Sequence, residues 1–153
     1  MDRSVRTGYE KNKKMKFQGV SIYRLNFGNF KRGAAVTIPG IGIFVGEGME
    51  ADVDLLRHEF GHILQYRKWG FLFFWRKIAA ASLKSARNQR RKFIPHMDTW
   101  TEWSANWLSY KYLDMPDDWN HRRFPVAPMN ESRVSKPKFM ASNEKFIDEW
   151  LKS

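Results

Sequence analysis

The chain predicts an α+β domain in which a small antiparallel sheet is followed by helices. Three observations carry that expectation. Residues 19–27 alternate apolar with polar side chains, the period of a half-buried strand. Two short β-prone runs, 34–38 and 41–45, follow and are punctuated by Pro39 and Gly40. After residue 52 the period lengthens: Val53, Leu56, Phe60, Ile63 and Leu64 fall on one face of a helix, with Asp52 or Asp54 as its start signal.

With 153 residues, of which 42% are hydrophobic, the chain supports one core and no second ordinary domain. Residues 1–16 are basic and lack periodicity, so they are expected to form a flexible tail, with residues 17–153 as a single domain. No apolar stretch of the secretory kind follows the tail, which favours a cytoplasmic location. Cysteine is absent, which excludes disulfides and thiolate metal sites.

The helix after Asp52 carries the one local pattern that names a chemistry, His58-Glu59-Phe60-Gly61-His62. Residues i and i+4 stand one above the other on a helix, so both imidazoles can reach one metal ion while Glu59 points beside it. Gly61 costs about 1 kcal/mol in a helix interior relative to alanine, so its presence implies close approach by another backbone. The alternative is a surface helix whose histidines merely flank a glutamate.

A catalytic zinc ion takes three protein ligands and leaves a position for water. Glu102 is the expected third ligand. It lies in a second helical segment, residues 100–108, where Glu102, Ala105 and Asn106 share a face at i, i+3 and i+4. Ala105 would admit the first helix closely, and Asn106 would accept a hydrogen bond from the second ring nitrogen of His58. Glu102 also has a plainer role open to it, since Thr99 to Glu102 has the form of a capping box. His96 is the competing ligand, and otherwise lines the cleft or lies on the surface.

His58-Glu59-x-x-His62 followed by Glu102-x-x-Ala105-Asn106 resembles the gluzincin group of zinc metallopeptidases, the thermolysin-like arrangement. It is similar, more closely, to small bacterial single-domain proteins with an H-E-[FY]-G-H helix and a later T-E-x-x-A-N helix. The resemblance covers two helices. It implies a zincin-like fold and a peptide or protein substrate. In site terms it implies Zn²⁺ held by His58, His62 and Glu102, Glu59 as general base, and Asn106 orienting a ligand histidine. Asn106 departs from the more usual Asp, and the span from His62 to Glu102 is longer than in thermolysin-like enzymes. The fold it implies sets a sheet before the metal helix, with an edge strand that can hold an extended peptide by main-chain hydrogen bonds. Residues 42–46 are the expected edge. Stabilisation of the oxyanion calls for a second electrophile, for which Tyr110, Tyr112, His121 and Arg122 are the candidates after the second helix.

Between the two helices, residues 70–75 and 78–83 are apolar but interrupted by Arg76 and Lys77, well short of the ~20 residues a membrane span needs. A core helix with a basic outer face is expected there, and an interfacial helix is the alternative. The net charge of +11 and the basic residues from Arg76 to Lys92 favour weak binding to polyanions or an anionic membrane surface. A rival function follows: a nucleic-acid- or membrane-surface-binding protein with a structural or degenerate zinc site. Beyond Leu113 the prolines at 116, 125, 128 and 137 predict irregular chain, and Phe146, Ile147, Trp150 and Leu151 a short terminal helix.

Overall fold

The computed structural model describes residues 15–92 and 96–127. Residues 1–14 of the tail expected over 1–16, and the expected helix at Phe146 to Leu151, lie outside them, whereas Lys16, expected in that tail, begins the first strand by pairing with Ser21. Four strands come first, β1 (Lys16–Phe17), β2 (Val20–Leu25), β3 (Ala35–Ile38) and β4 (Gly42–Gly46), in the order β1-β2-β4-β3. Helix α1 (Val53–Trp69) follows. A long helix, α2, then runs through Phe71–Phe73, a π-helical stretch Phe74–Ala79, and Ala80–Lys92. A 3-10 turn, His96–Asp98, leads into α3 (Trp100–Tyr112).

The fold is α+β as expected, but the sheet is mixed and not antiparallel throughout. β1 and β2 pair antiparallel, as do β3 and β4, whereas β2 and β4 run parallel with Ile22 opposite Ile43. The cause is the path after β2: a 3-10 turn at Gly28–Arg32 carries the chain outward to β3, and β4 returns into the space beside β2. Residues 42–46 are therefore an interior strand, and the edge strands are β1 and β3. Two features of β4 account for this. Its apolar run is unbroken, as suits a strand covered on both faces. Its glycines also leave no room for side chains: a Cβ on Gly42 would lie 2.5 Å from Ser21 O, and one on Gly46 would lie 2.2 Å from Phe30 O.

Asp52 caps α1 by accepting a hydrogen bond from Leu55 N at 3.0 Å. Asp54 in the first turn and Arg67 and Lys68 in the last complement the helix dipole. Leu55, Leu56, Phe60 and Ile63 pack with Ile22, Ile43 and Val45 of the sheet and with Trp119 and Phe124. Val53, expected on that face, is exposed at the helix start, and Leu55 takes its place. Burial does not stop at the apolar stripe. His58, Glu59, His62 and Gln65 are also buried because α3 covers the side of α1 away from the sheet.

The two helices meet at Gly61. A Cβ there would sit 2.1 Å from Ala105 O, so the expected close backbone approach is real and its partner is α3 itself. A second apolar cluster, Phe74, Ile78, Trp100 and Trp103, ties α2 to α3. The outer side of α2 carries Arg76, Lys77, Lys84 and Arg87, as a basic-faced core helix should, but also exposed Phe71, Leu72, Trp75 and Leu83. No helix among the described residues is long and apolar enough to cross a membrane.

Candidate metal centre

His58 and His62 stand one turn apart on α1, and Glu102 reaches them from the first turn of α3. All three are buried, and one donor atom from each lies within 4.8 Å of the others, forming a group able to hold a metal ion. Glu102 Oε2 is 3.3 Å from His58 Nε2 and 3.5 Å from His62 Nε2. Ligands about 2.0–2.1 Å from a tetrahedral ion are themselves separated by roughly 3.3–3.4 Å, so the spacing of Glu102 Oε2 from the two imidazole nitrogens suits a shared cation.

The hydrogen bonds behind the imidazoles settle which nitrogens face inward. Asn106 Nδ2 donates to Pro125 O at 2.9 Å, which leaves Asn106 Oδ1 to accept from His58 Nδ1 at 2.7 Å. Gln65 Nε2 donates to Thr101 O and Ser104 Oγ at 2.6 and 2.7 Å, so Gln65 Oε1 accepts from His62 Nδ1 at 2.8 Å. Each ring thus carries its proton on Nδ1 and turns Nε2 toward Glu102.

The carboxylate is divided in the same way. Thr101 Oγ1 donates to Glu102 Oε1 at 3.0 Å, whereas the buried Oε2 has no hydrogen-bond partner among the described residues. At 3.3–3.5 Å the imidazoles are ion-pair neighbours of Oε2 and do not satisfy it as hydrogen-bond donors. An unsatisfied buried carboxylate oxygen facing two imidazole nitrogens is costly unless a positive charge sits among them.

The protonation equilibria express that demand. Burial works to raise the Glu102 pKa, but contact with His58 and His62, the charge of His62 and that of His96 hold it well below the ordinary carboxylate value. For His62 burial works downward, yet the Glu102 carboxylate by contact and charge, then Glu59 and Gln65, lift its pKa to about 9. In the absence of another cation a proton on His62 supplies the positive charge.

Glu59 lies beside this group, 5% exposed, and a residue of edge strand β3 holds it: Thr37 Oγ1 is 2.8 Å from Glu59 Oε2 and 2.9 Å from Glu59 O. A cavity of about 400 Å³ opens over the site. Its base includes His58, Glu59, His62 and Glu102, and one wall is β3 from Ala35 to Ile38. The opposite wall is the inner side of α2, including Phe74, Ile78, Ala79 and Ala86.

His96 also lines the cavity. Its Nε2 is 3.5 Å from Glu102 Oε2, and its Nδ1 is 2.9 Å from Ser85 Oγ. It stands against the carboxylate and outside the compact three-residue group. Burial, with repulsion from His58 and His62, lowers its pKa against the pull of Glu102 and Glu59. The capping-box role for Glu102 is not realised: Thr99 is at the N-cap position, but its hydroxyl donates to His96 O at 2.7 Å.

Tyr110, Tyr112, His121 and Arg122 do not line the cavity. Tyr110 packs between Trp119 and His121, with ring centroids 5.3 Å from each, and Tyr112 packs on Phe60 at 5.1 Å. Arg122 is exposed. Tyr110 and Tyr112 lie in the last turn of α3 and His121 and Arg122 beyond it, whereas His96 precedes the first turn and lines the cavity. Thr37 and Gln65 were not anticipated. Gln65 stands at i+3 from His62, a spacing that could have disclosed it, while nothing local marks Thr37.

Compared with known proteins, the chain matches no family model, no curated protein sequence and no solved structure.

Proposed function

We propose that this protein is a zinc-dependent metallohydrolase of zincin-like architecture, and specifically a peptidase. One observation supports it above the others: Glu102 Oε2, buried and without a hydrogen-bond partner among the described residues, faces the inward nitrogens of His58 and His62 beside the carboxylate of Glu59. A site built only for packing would gain nothing from an oxygen left in that state.

The donor set, two neutral imidazoles and a carboxylate, suits Zn²⁺. When bound, zinc supplies the acidity that makes water a nucleophile near neutral pH. Glu59 takes the proton from the attacking water and returns it to the leaving amine. Thr37 holds one oxygen of Glu59 and leaves the other for that exchange. Asn106 and Gln65 keep the ligand rings in the required tautomer and orientation. His96, a polar cavity residue, takes the role expected of Tyr110, Tyr112, His121 or Arg122, donating to the developing oxyanion.

The peptidase reading is favoured by the cavity wall. β3 is an edge strand, so its outer main-chain groups can pair with an extended peptide, while the apolar wall of α2 accepts a side chain.

Elemental analysis and hydrolysis of a quenched-fluorescent peptide library test this together. Glu59→Gln should keep zinc and lose about 10²–10⁴-fold in rate. His62→Ala and Glu102→Ala should lose zinc. Full zinc in Glu102→Ala with loss in His96→Ala would overturn the ligand assignment, and absence of zinc from the native protein would overturn the function.

A further inference from the structure

The metal site makes no use of the outer face of α2. Phe71 and Leu72 are 61% and 65% exposed at its start, and Trp75 and Leu83 are 40% and 56% exposed further along. Trp75 and Leu83 also line the cavity, and the Phe71 ring lies 6.3 Å from that of Trp75. Phe71, Trp75 and Leu83 thus form an exposed apolar rim at the mouth of the cleft, and Leu72 follows Phe71 at its end. Helix geometry keeps the rim together. Residues 71, 75, 79 and 83 recur every four positions, which would drift about 40° per step on a regular α-helix. The wider π-helical turns at Phe74–Ala79 take up part of that drift.

Along α2 the charge has one sign. No Asp or Glu occurs between Glu59 and Asp98, and Arg76, Lys77, Lys84 and Arg87 are exposed on the same helix. Apolar side chains that enter an acyl boundary, flanked by cations at phosphate depth, are the chemistry of a helix lying in a membrane interface. A nucleic acid would account for the cations and for base stacking on Phe71 and Trp75, but not for Leu72, an aliphatic group more exposed than either.

We infer that the rim of the cleft docks on an anionic bilayer surface, with Phe71, Leu72, Trp75 and Leu83 inserted and Arg76, Lys77, Lys84 and Arg87 meeting lipid phosphates. Docked in this way, the cleft opens at the membrane. If the peptidase reading holds, on which this consequence rests, its substrates are extended segments next to a bilayer. The docking itself does not depend on catalysis and is tested without it.

The test is sedimentation of the full chain with vesicles of phosphatidylcholine alone or mixed with phosphatidylglycerol. The native protein should bind the anionic vesicles and not the neutral ones. Phe71→Ser with Leu72→Ser should weaken binding about tenfold or more, with circular dichroism unchanged, as both side chains are exposed. Brominated lipid should quench native tryptophan fluorescence more than that of Trp75→Phe, a readout that survives if the double variant misfolds. Failure to bind anionic vesicles, as when another part of the chain covers the rim, would overturn the inference. So would equal quenching of the two proteins, or displacement from vesicles by a single-stranded oligonucleotide with native binding by the serine variant.

Discussion

The hydroxyl of Thr37 on edge strand β3 lies 2.8 Å from Oε2 of Glu59 on α1, a bond that joins the sheet to the candidate general base across 22 residues of sequence. The same hydroxyl is 2.9 Å from Glu59 O, and its single proton is shared between these two acceptors of one helical turn. Thr37→Val keeps the shape and removes the donor. Hydrolysis should fall about 10–100-fold with zinc content unchanged, the cost of losing a group that orients a reacting one. Thr37→Ser should recover most of the rate. Native activity in the valine variant would show that Glu59 is held adequately without it.

Gly61 gives a prediction whose sign is informative. By helix propensity alone Gly61→Ala should stabilise the protein by about 1 kcal/mol. A methyl group, however, would lie 2.1 Å from Ala105 O, a backbone atom that cannot turn aside. Overpacking should win, with a net loss of ~2 kcal/mol or more. Because Ala105 and Glu102 share α3, forcing the helices apart should also weaken zinc binding. A raised Tm by calorimetry would contradict the close helix contact.

Relations along one helix were legible in the sequence, and relations between elements were only partly so. A helix start at Asp52 or Asp54, His58 with His62, and Glu102 with Asn106 all depend on local spacing, and the structure selects Asp52 as the cap. Gly61 was also readable, because an unfavourable glycine between two histidines needs a packing reason. Strand order was not. Placing β4 inside and β3 at the edge depends on the excursion of the chain after β2, so Thr37 could not be linked to Glu59 or β3 to the cleft. His96 met the same limit: its nearness to Glu102 could be anticipated, but Ser85 as its partner follows from the packing of α2 against the turn before α3.

The His62 equilibrium sets the pH dependence of the metal-free protein. Its folded pKa of about 9 lies above the ordinary value of 6.5. A raised pKa contributes stability that is fully present below 6.5 and is lost as pH rises through about 9. Metal-free protein should therefore show a falling Tm between neutral pH and pH 9. Zinc must displace that proton, so binding near pH 7 should release about one proton, and affinity should rise about tenfold per pH unit until His62 is neutral. Titration of zinc into weakly buffered protein with a pH indicator measures the release. If no proton is released at pH 7, His62 is neutral in the metal-free state.

Asn106 stands where the resembled enzymes more often carry Asp, and the structure supplies a reason. Its Oδ1 accepts from His58 Nδ1 while its Nδ2 donates to Pro125 O, so one side chain orients the ligand ring and fastens the segment that carries Phe124 over it. The Phe124 ring stacks on His58 with centroids 5.1 Å apart. A carboxylate could perform the first task, making His58 a more basic ligand, but would set negative charge against the Pro125 carbonyl in a fully buried place. Asn106→Asp should keep zinc yet lower Tm. Asn106→Ala, which abandons both contacts, should reduce zinc affinity about 10–100-fold and lower Tm as well. Competition with a chelator and thermal melts of the two variants separate ring orientation from attachment of the loop. Equal zinc affinity in native protein and Asn106→Ala would mean that packing against Phe124 suffices to orient His58.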